Sequence, residues 1–285
     1  MVFPNPAAVP GLPIPATGEG AAGLRAITAD PRSAVLAFDF DGVLSPIIAD
    51  PSQSRAYPGM VDALNRLAAL VGTVAIITGR QAAEVLRLGE FGALAEAEHF
   101  AVFGLYGMQH WDRASGQIVS EPAPPGVAAV RAELPELLGE LPAARGAAIE
   151  DKAISVAVHT RRADEPHAAF TALVEPLTAM AARHGLAMEP GRLVLELRTP
   201  GVNKGNALTG LVRRRAARSV AYFGDDLGDL PAFAAVDDLR ADGLAGLKVC
   251  SGSAEVQRLA DAADLVVDGP PGVLAFLQGL AATLS

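Results

Sequence analysis

Two aspartates, Asp39 and Asp41, are separated by a single residue at the end of an apolar run that begins at Val35. An apolar run bounded by Asp-Gly predicts a buried strand followed by a turn. Alternate side chains of an extended chain point the same way, so the two carboxylates can converge on one point. Carboxylates that close repel each other unless a proton or a cation lies between them. The pair therefore indicates a metal site, with an ordinary acidic turn as the alternative.

Further polar side chains occur where predicted strands end or predicted helices begin. Thr78 follows the apolar run 73–77, Lys204 follows a helix-capping asparagine, and Asp225 and Asp229 follow a predicted strand at 219–223. Open α/β sheets bind ligands at the carboxyl ends of their strands, so we expect these side chains to lie together. Alone, each has an ordinary explanation as a helix cap, a surface lysine or an acidic loop. Together they suit phosphoryl transfer.

A phosphate ester is negatively charged, so a carboxylate nucleophile needs cationic help to approach it. We expect Mg²⁺ to be held by Asp39, Asp41, Asp225 and Asp229, with Asp41 contributing mainly its main-chain carbonyl. Asp39 would attack phosphorus and form an aspartyl-phosphate. Asp41 would protonate the leaving alcohol and then activate the water that hydrolyses the intermediate.

The phosphate itself is expected to meet three further groups. Lys204 would supply a point charge for the phosphate and the nucleophile. The Thr78 hydroxyl and the Gly79 N–H, at the start of a helix, would bind a phosphate oxygen. Arg80, the next residue, is a further predicted substrate-binding residue.

The elements that must position these groups alternate between strand and helix. Strands are predicted at 35–40, 73–77, 99–103, 219–223, 247–250 and 265–267, with helices between most of them. This alternation predicts an α/β fold whose core is a doubly wound, Rossmann-like parallel sheet with right-handed crossovers.

Residues 113–198 interrupt that alternation. They predict a helix at 127–138, a strand at 153–159 with one covered face, a helix at 166–184 and a hairpin within 186–197. We expect this segment to form an α/β cap domain inserted into a core made of 23–112 and 199–285. Residues 1–22, with five prolines in the first fifteen positions, are expected to be a flexible N-terminal tail.

Composition restricts the partners of the chain. It has 285 residues, a net charge of −9 and one cysteine, Cys250. The acidic balance argues against nucleic acid, and the basic run 213–215 with Arg218 is interpreted as a solvated helix face. No uncharged apolar stretch is long enough to span a membrane, and no secretory signal is recognisable. We expect a cytoplasmic protein that is a monomer or a weak oligomer.

The polar groups, in their order, resemble the four signatures of the haloacid dehalogenase-like hydrolases. They are Asp39-Phe40-Asp41-Gly42-Val43, Thr78, Lys204 and Gly224-Asp225-Asp226-Leu227-Gly228-Asp229. The resemblance covers nearly all of the chain after residue 30. An insert between the second and third signatures is similar to the large α/β cap class, which hydrolyses mostly sugar phosphates. The resemblance therefore implies a hydrolase core with a cap, Mg²⁺ as cofactor and a small sugar phosphate as partner.

A narrower resemblance is to the trehalose-6-phosphate phosphatase family, carried by Thr78-Gly79-Arg80, by 41–47 and by 224–233. Two cap segments, around 150–152 and 192–198, resemble those with which that family binds sugar. The resemblance implies that glucose hydroxyls are bound by Glu150, Lys152, Arg192 and Glu196, with Arg161 as a further candidate. Charged groups form strong hydrogen bonds to hydroxyls. The alternative is that these residues form surface ion pairs on cap strands.

The expected activity is hydrolysis of trehalose 6-phosphate to trehalose and phosphate. The main alternative is another capped sugar phosphatase, acting on sucrose phosphate, glucosyl- or mannosylglycerate phosphate or a hexose phosphate. A phosphomutase would need an aspartyl-phosphate that outlasts product exchange. A phospho-accepting signalling domain would need no insert, and an inactive regulatory subunit would not need every catalytic position filled.

Overall fold

The computed structural model describes residues 9, 11–94, 99–122, 124–152, 154–191, 193–252 and 257–285. They form two compact units, Met1–Ser120 with Asn203–Ser285, and Glu121–Val202. The strands are β1 (Ala34–Phe38), β2 (Thr73–Ile77), β3 (Phe100–Gly104), β4 (Gln109–Asp112), β5 (Ile118–Ser120), β6 (Ala148–Asp151), β7 (Ser155–His159), β8 (Ala187–Gly191), β9 (Val194–Arg198), β10 (Ser219–Gly224), β11 (Ala245–Gly252) and β12 (Leu265–Asp268).

The helices are α1 (Gly18–Ala29), α2 (Met60–Leu70), α3 (Ala82–Leu88), α4 (Pro125–Glu140), α5 (Pro166–Arg183), α6 (Lys204–Arg214), α7 (Leu230–Ala241), α8 (Gln257–Ala262) and α9 (Gly269–Leu284). Within the described ranges, no helix is both long and apolar enough to cross a membrane.

The first unit is built on an eight-stranded sheet in the order β12-β11-β10-β1-β2-β3-β4-β5. All pairs from β12 to β3 are parallel. Every residue of β1, β2, β3 and β10 is buried, which explains their continuous apolar sequences. Side chains of α1, α2, α3 and α9 cover one face, and those of α6, α7 and α8 cover the other. The doubly wound α/β fold predicted from the sequence is confirmed.

The predicted tail was wrong from residue 18 onward, because α1 begins there. The Thr17 hydroxyl accepts a hydrogen bond from Gly20 N–H, and Leu24 and Ile27 are fully buried in the core. Glycines of this helix permit its close packing against the sheet. A Cβ on Gly23 would lie 1.9 Å from the carbonyl oxygen of Gly246 in β11.

The second unit begins later than the predicted cap boundary at residue 113. β4 and β5 extend the first unit's sheet by antiparallel pairing, so the inserted unit starts at Glu121 and ends at Val202 rather than at 198. The short, exposed β5 has no sequence pattern that separates it from a loop. This pairing explains why composition alone misplaced the boundary.

The inserted unit has a four-stranded antiparallel sheet in the order β6-β7-β9-β8. Apolar residues of α4 and α5 pack against Val156, Val158, Leu195 and Leu197 on one face of that sheet. Since side chains alternate along a strand, the residues between them point to the opposite face. That opposite face carries the charged residues discussed below.

Candidate active site

The predicted core residues meet at the carboxyl ends of β1 and β10. Asp39 directly follows β1, and its N–H donates to the carbonyl of Phe223 in β10 at 2.9 Å. Its Oδ1 accepts from Phe40 N–H at 2.7 Å, and its Oδ2 lies 2.7 Å from Lys204 Nζ. The two oxygens of Asp39 are therefore oriented separately, one by the main chain and one by a cation.

Lys204 reaches this point because α6 begins at it, with the Asn203 side chain accepting from Asn206 N–H as the cap. Its ammonium also lies 2.7 Å from Asp229 Oδ1, so it joins two carboxylates. Burial opposes its charge, but Asp229 and Asp39 hold the pKa of Lys204 well above its usual value. The lysine is thus a fixed positive charge beside Asp39.

Asp229 is completely buried and accepts from four donors. Besides Lys204, these are the Tyr222 hydroxyl at 2.7 Å, and the main-chain N–H groups of Asp225 at 2.9 Å and Asp226 at 3.3 Å. A carboxylate with this many donors has its acceptor capacity largely used. Asp229 therefore acts as the organiser of the loop, and Tyr222 is a contributor that sequence analysis missed.

Four carboxylates, those of Asp39, Asp225, Asp226 and Asp229, offer oxygens that all lie within 4.8 Å of one another. Burial, together with the charges of Asp229 and Asp226, raises the pKa of Asp39 to about 7 in spite of Lys204. Burial and the charges of Asp39 and Asp229 raise the pKa of Asp225 to about 9. These oxygens form the hard donor set that Mg²⁺ favours, and a bound cation would relieve their repulsion. The residues present therefore fit the predicted metal.

Asp226 was missed as a member of this cluster, although it follows Asp225 directly in the sequence. Gly42 makes the close approach to Asp225 possible. A Cβ on Gly42 would lie 2.0 Å from Asp225 Oδ2, and its φ of +71° also favours glycine.

The spacing of Asp41 from Asp39 predicted that their carboxylates converge, but the Asp41 carboxylate is not part of the cluster. Arg80 holds it with Nε at 2.6 Å from Oδ2 and Nη2 at 2.8 Å from Oδ1. The chain leaves the extended conformation here, and Asp41 forms an isolated bridge with Ser45. The alternation of a strand therefore no longer sets the direction of this side chain. A metal contact through the Asp41 main-chain carbonyl stays a prediction.

Arg80 was predicted to bind substrate, and in the structure it also contacts Glu84 at 2.6 Å. Thr78 is buried, and its hydroxyl accepts from Arg80 N–H at 3.2 Å at the turn before α3. Gly79 lies under Tyr106, since a Cβ there would be 2.8 Å from the Tyr106 hydroxyl. The three consecutive residues of this predicted phosphate site are thus held by local contacts at the end of β2.

In the inserted unit, the predicted sugar-binding residues lie on the face of the sheet opposite α4 and α5. The strand register places Glu150, Ala157, Glu196 and Glu189 in one row across β6, β7, β9 and β8. Lys152 Nζ lies 3.0 Å from Glu196 Oε2 and 3.8 Å from Glu150 Oε2.

Glu196 has a second partner, because the Ser155 hydroxyl donates to its Oε1 at 2.6 Å. Burial opposes ionisation of Glu196, but Ser155 and Lys152 together lower its pKa. His159 Nε2 lies 2.7 Å from Glu150 Oε2. Ser155 and His159 belong to this polar face but were not predicted as site residues. Their alternate positions on β7 are the signal that could have found them.

Arg161 lines a recess of the inserted unit, with a volume of about 380 Å³, together with Arg162 and with Glu150 and His159 of the polar face. Arg192 lies outside the described residues, so its predicted role stays a prediction.

Comparisons with known proteins agree with this architecture. A structure from Bacteroides thetaiotaomicron, described as a haloacid dehalogenase-like hydrolase, aligns with a TM-score of 0.62 at 15% identity, covering 86% of this chain and 98% of that one. An Aspergillus fumigatus trehalose-6-phosphate phosphatase aligns with a TM-score of 0.71 at 25% identity, covering 94% of this chain and 98% of that one. The protein therefore has the haloacid dehalogenase-like hydrolase fold.

Sequence comparison narrows this class to one family. The family model described as Trehalose-phosphatase matches residues 37–267. A trehalose-phosphate phosphatase of Mycobacterium marinum is 34% identical over 264 residues, covering 90% of this chain. The corresponding protein of Mycobacterium leprae is 32% identical over 267 residues, covering 89% of it. The chain belongs to the trehalose-phosphatase family.

The chain spans only part of those mycobacterial relatives. It covers 63% of the M. marinum protein and 59% of the M. leprae protein. The similarity includes both the core and the inserted unit described above.

Proposed function

We propose that this protein is a cytoplasmic, Mg²⁺-dependent phosphatase that hydrolyses trehalose 6-phosphate to trehalose and phosphate through an aspartyl-phosphate. The observation that carries the proposal is the buried bridge of Lys204 between Asp39 and Asp229, beside the two other carboxylates of the cluster, Asp225 and Asp226. The family match supports the substrate class.

Asp39 is the proposed nucleophile, since one of its oxygens is directed by Lys204 and the other by Phe40 N–H. The Lys204 contact favours the ionised form that attack requires. Thr78 and Gly79 would bind a phosphate oxygen at the end of β2. Asp39, Thr78 and Lys204 come from the ends of two neighbouring strands and the start of a helix packed on the same sheet, which fixes the distances between them.

Asp39, Asp225 and Asp226 would hold Mg²⁺, joined by the main-chain carbonyl of Asp41. Asp229, which was predicted as a further ligand, would support them from behind, because each of its oxygens already accepts two hydrogen bonds. The ion would supply positive charge opposite the phosphate oxygens and lower the repulsion between the carboxylates.

Asp41 is the proposed proton carrier. Arg80 orients the carboxylate of Asp41, which would take a proton from the attacking water in the second half-reaction. In the first half-reaction, Asp41 would act as an acid after releasing Arg80, whose guanidinium would then be available to the substrate phosphate. The contact between Arg80 and Asp41 would thus be exchanged for a contact between Arg80 and the substrate phosphate.

Glu150, Lys152 and Glu196 are the proposed sugar-binding residues, with Arg161 and Arg192 as further members. Glu196 is held by Ser155 and Lys152, so its carboxylate has a defined position from which to accept sugar hydroxyls. Neighbouring cations and carboxylates match the mixture of donors and acceptors on a sugar.

Phosphate release from a panel of sugar phosphates tests the proposal. Trehalose 6-phosphate should give the highest kcat/KM, above sucrose phosphate, glucosylglycerate phosphate and glucose 6-phosphate, with Mg²⁺ present. If another sugar phosphate gives a higher kcat/KM, the substrate assignment would change and the proposed phosphatase chemistry would be retained. No release from any member, with the protein folded and Mg²⁺ supplied, would contradict the proposed activity.

A further inference from the structure

A cavity of about 360 Å³ lies at the opposite edge of the first unit's sheet from the candidate active site. Ala34 and Thr73, the first residues of β1 and β2, line it, as does Ala217 after α6. The candidate active site follows the other ends of these strands. The two sites are therefore separated by about the length of a strand, on the order of 15 Å.

The ionisable residues that line this cavity can all be cationic. They are Arg32, His99, Arg214 and Arg215, and no carboxylate occurs among the described lining residues. The whole chain has 32 acidic and 23 basic residues, so a lining of this kind departs from the average surface. The cavity is a local concentration of positive charge on an acidic protein.

Carboxylates of the described residues do not neutralise these arginines. Among the described residues, Arg32, Arg214 and Arg215 form no ion pair within 4.0 Å, whereas nearby Arg218 lies 3.8 Å from Asp30. The Arg214 guanidinium lies over the Phe103 ring at 5.5 Å, which restrains it without neutralising it. Glu96 and Glu98, which precede His99 in the sequence, lie outside the described residues, and binding by the intact chain would include their charge.

His110 lies within electrostatic reach of two of these arginines. His110, stacked on Phe103 at 4.7 Å, has a pKa lowered first by burial and further by the charges of Arg214 and Arg215, against an opposing effect of Asp112. Two arginines at the end of α6 would also be expected from the helix dipole alone. The dipole does not account for Arg32 and His99, which come from other segments and complete the lining.

We propose that this cavity binds a small molecule bearing a phosphate or diphosphate group, at a site separate from the active site. Guanidinium groups donate paired, charge-assisted hydrogen bonds to phosphate oxygens, and three arginines line this cavity. The cavity volume falls in the range of small-molecule sites. The basic run 213–215 is then only partly a solvated helix face, because Arg214 and Arg215 line the cavity and Arg213 does not.

Calorimetric titration of the full chain with inorganic pyrophosphate, in EDTA at low ionic strength, tests the site. The variant Arg32→Gln/Arg214→Gln/Arg215→Gln should weaken binding at least about tenfold, because it removes the charge-assisted donors to the phosphate oxygens. The matched control Arg213→Gln/Arg218→Gln removes charge from the same basic region but not from the lining, and should change the Kd less than about threefold. Release of phosphate from an aryl phosphate should be unchanged in both variants.

Equal weakening in the triple variant and the control would overturn the proposal, because it would indicate a general field rather than a site. Absence of binding by the unaltered protein, or binding unaffected by the triple variant, would overturn it as well. If the triple variant melts at a much lower temperature, Arg215→Gln alone, at an exposed position, replaces it with the same criteria. Titration with inorganic phosphate and with adenosine diphosphate identifies whether the bound group is free phosphate or part of a nucleotide.

Discussion

The two units of this protein carry charge in opposite ways. In the first unit, Asp39, Lys204 and Asp229 are almost completely buried and are fixed by main-chain groups and by each other. In the inserted unit, Glu150 and Lys152 are far more exposed, and their partners lie on the same sheet face: Lys152 is 3.0 Å from Glu196 and 3.8 Å from Glu150, and Glu150 is 2.7 Å from His159. Buried charges suit a reaction whose groups must be positioned before substrate arrives. Exposed pairs can exchange partners with sugar hydroxyls.

This difference has an energetic consequence. Burying like charges is unfavourable unless partners compensate, and the raised pKa values of Asp39 and Asp225 show that compensation is incomplete in the protein alone. Exposed ion pairs contribute only about 0–1 kcal/mol to stability. Substitutions in the first unit should therefore alter the chemistry, with a change in stability that depends on which buried contact is lost. Substitutions on the polar face of the inserted unit should alter substrate binding alone.

The largest expected effect comes from Asp39→Asn. The amide keeps the acceptor for Phe40 N–H but cannot act as the nucleophile, so kcat should fall at least about 10³-fold. Removing one of several crowded carboxylates should leave the melting temperature within a few degrees. Phosphate release and thermal melting measure both, with Asp62→Asn, an exposed aspartate of α2, as the control. Substantial activity in Asp39→Asn would remove Asp39 as nucleophile.

Metal removal should have the next largest effect. EDTA should abolish phosphate release and added Mg²⁺ should restore it, because Asp39, Asp225 and Asp226 otherwise repel each other and the phosphate. Activity that persists in a metal-free sample would contradict the metal assignment.

The same carboxylates predict how pH changes the stability of the metal-free protein. Their folded pKa values of about 7 and about 9 lie above the unfolded value, so above about pH 4 the folded state binds more protons. The free energy of unfolding should therefore fall as pH rises from 5 to 9 in EDTA. Mg²⁺ should raise the melting temperature more at pH 9 than at pH 5, because protons compete with it. A flat melting profile in EDTA would indicate that the cluster is not strained by its charge.

Within the first unit, the sequence predicts side chains whose position is set by topology better than side chains whose direction is set by a partner. Asp39, Thr78, Lys204 and Asp225 lie at strand ends and helix starts, where topology sets their position. Asp41 departed from expectation because its direction depends on Arg80, a partner distant in sequence. Tyr222 looked like an ordinary core residue of a buried strand, and nothing local marks its hydroxyl as a donor to Asp229. Long-range side-chain pairs of this kind require the fold to be known.

On the polar face of the inserted unit, Glu196→Gln should raise KM for trehalose 6-phosphate by about tenfold or more, since charged hydrogen bonds contribute roughly 1.5–3 kcal/mol. The kcat/KM for a small aryl phosphate, which lacks the sugar, should change less than about twofold. Glu133→Gln is the matched control, because Glu133, like Glu196, pairs with a cation of the inserted unit, here Arg183 at 2.8 Å. Equal losses on both substrates would mean that Glu196 does not contact sugar.

The smallest expected effect is that of Tyr222→Phe. It removes one of the four donors to Asp229 while keeping the packing of the ring against Phe233. Loss of one buried hydrogen bond to a charged group should lower the free energy of unfolding by about 1–2 kcal/mol and kcat by only a few-fold. Lys204 and two main-chain N–H groups still hold the carboxylate. Tyr57→Phe, at a partly buried tyrosine of the same unit, is the control for loss of a hydroxyl. A loss of kcat as large as that in Asp39→Asn would contradict this expectation. It would show that the site depends on each donor to Asp229 separately, so that the number of contacts around Asp229 does not explain how firmly the site is held.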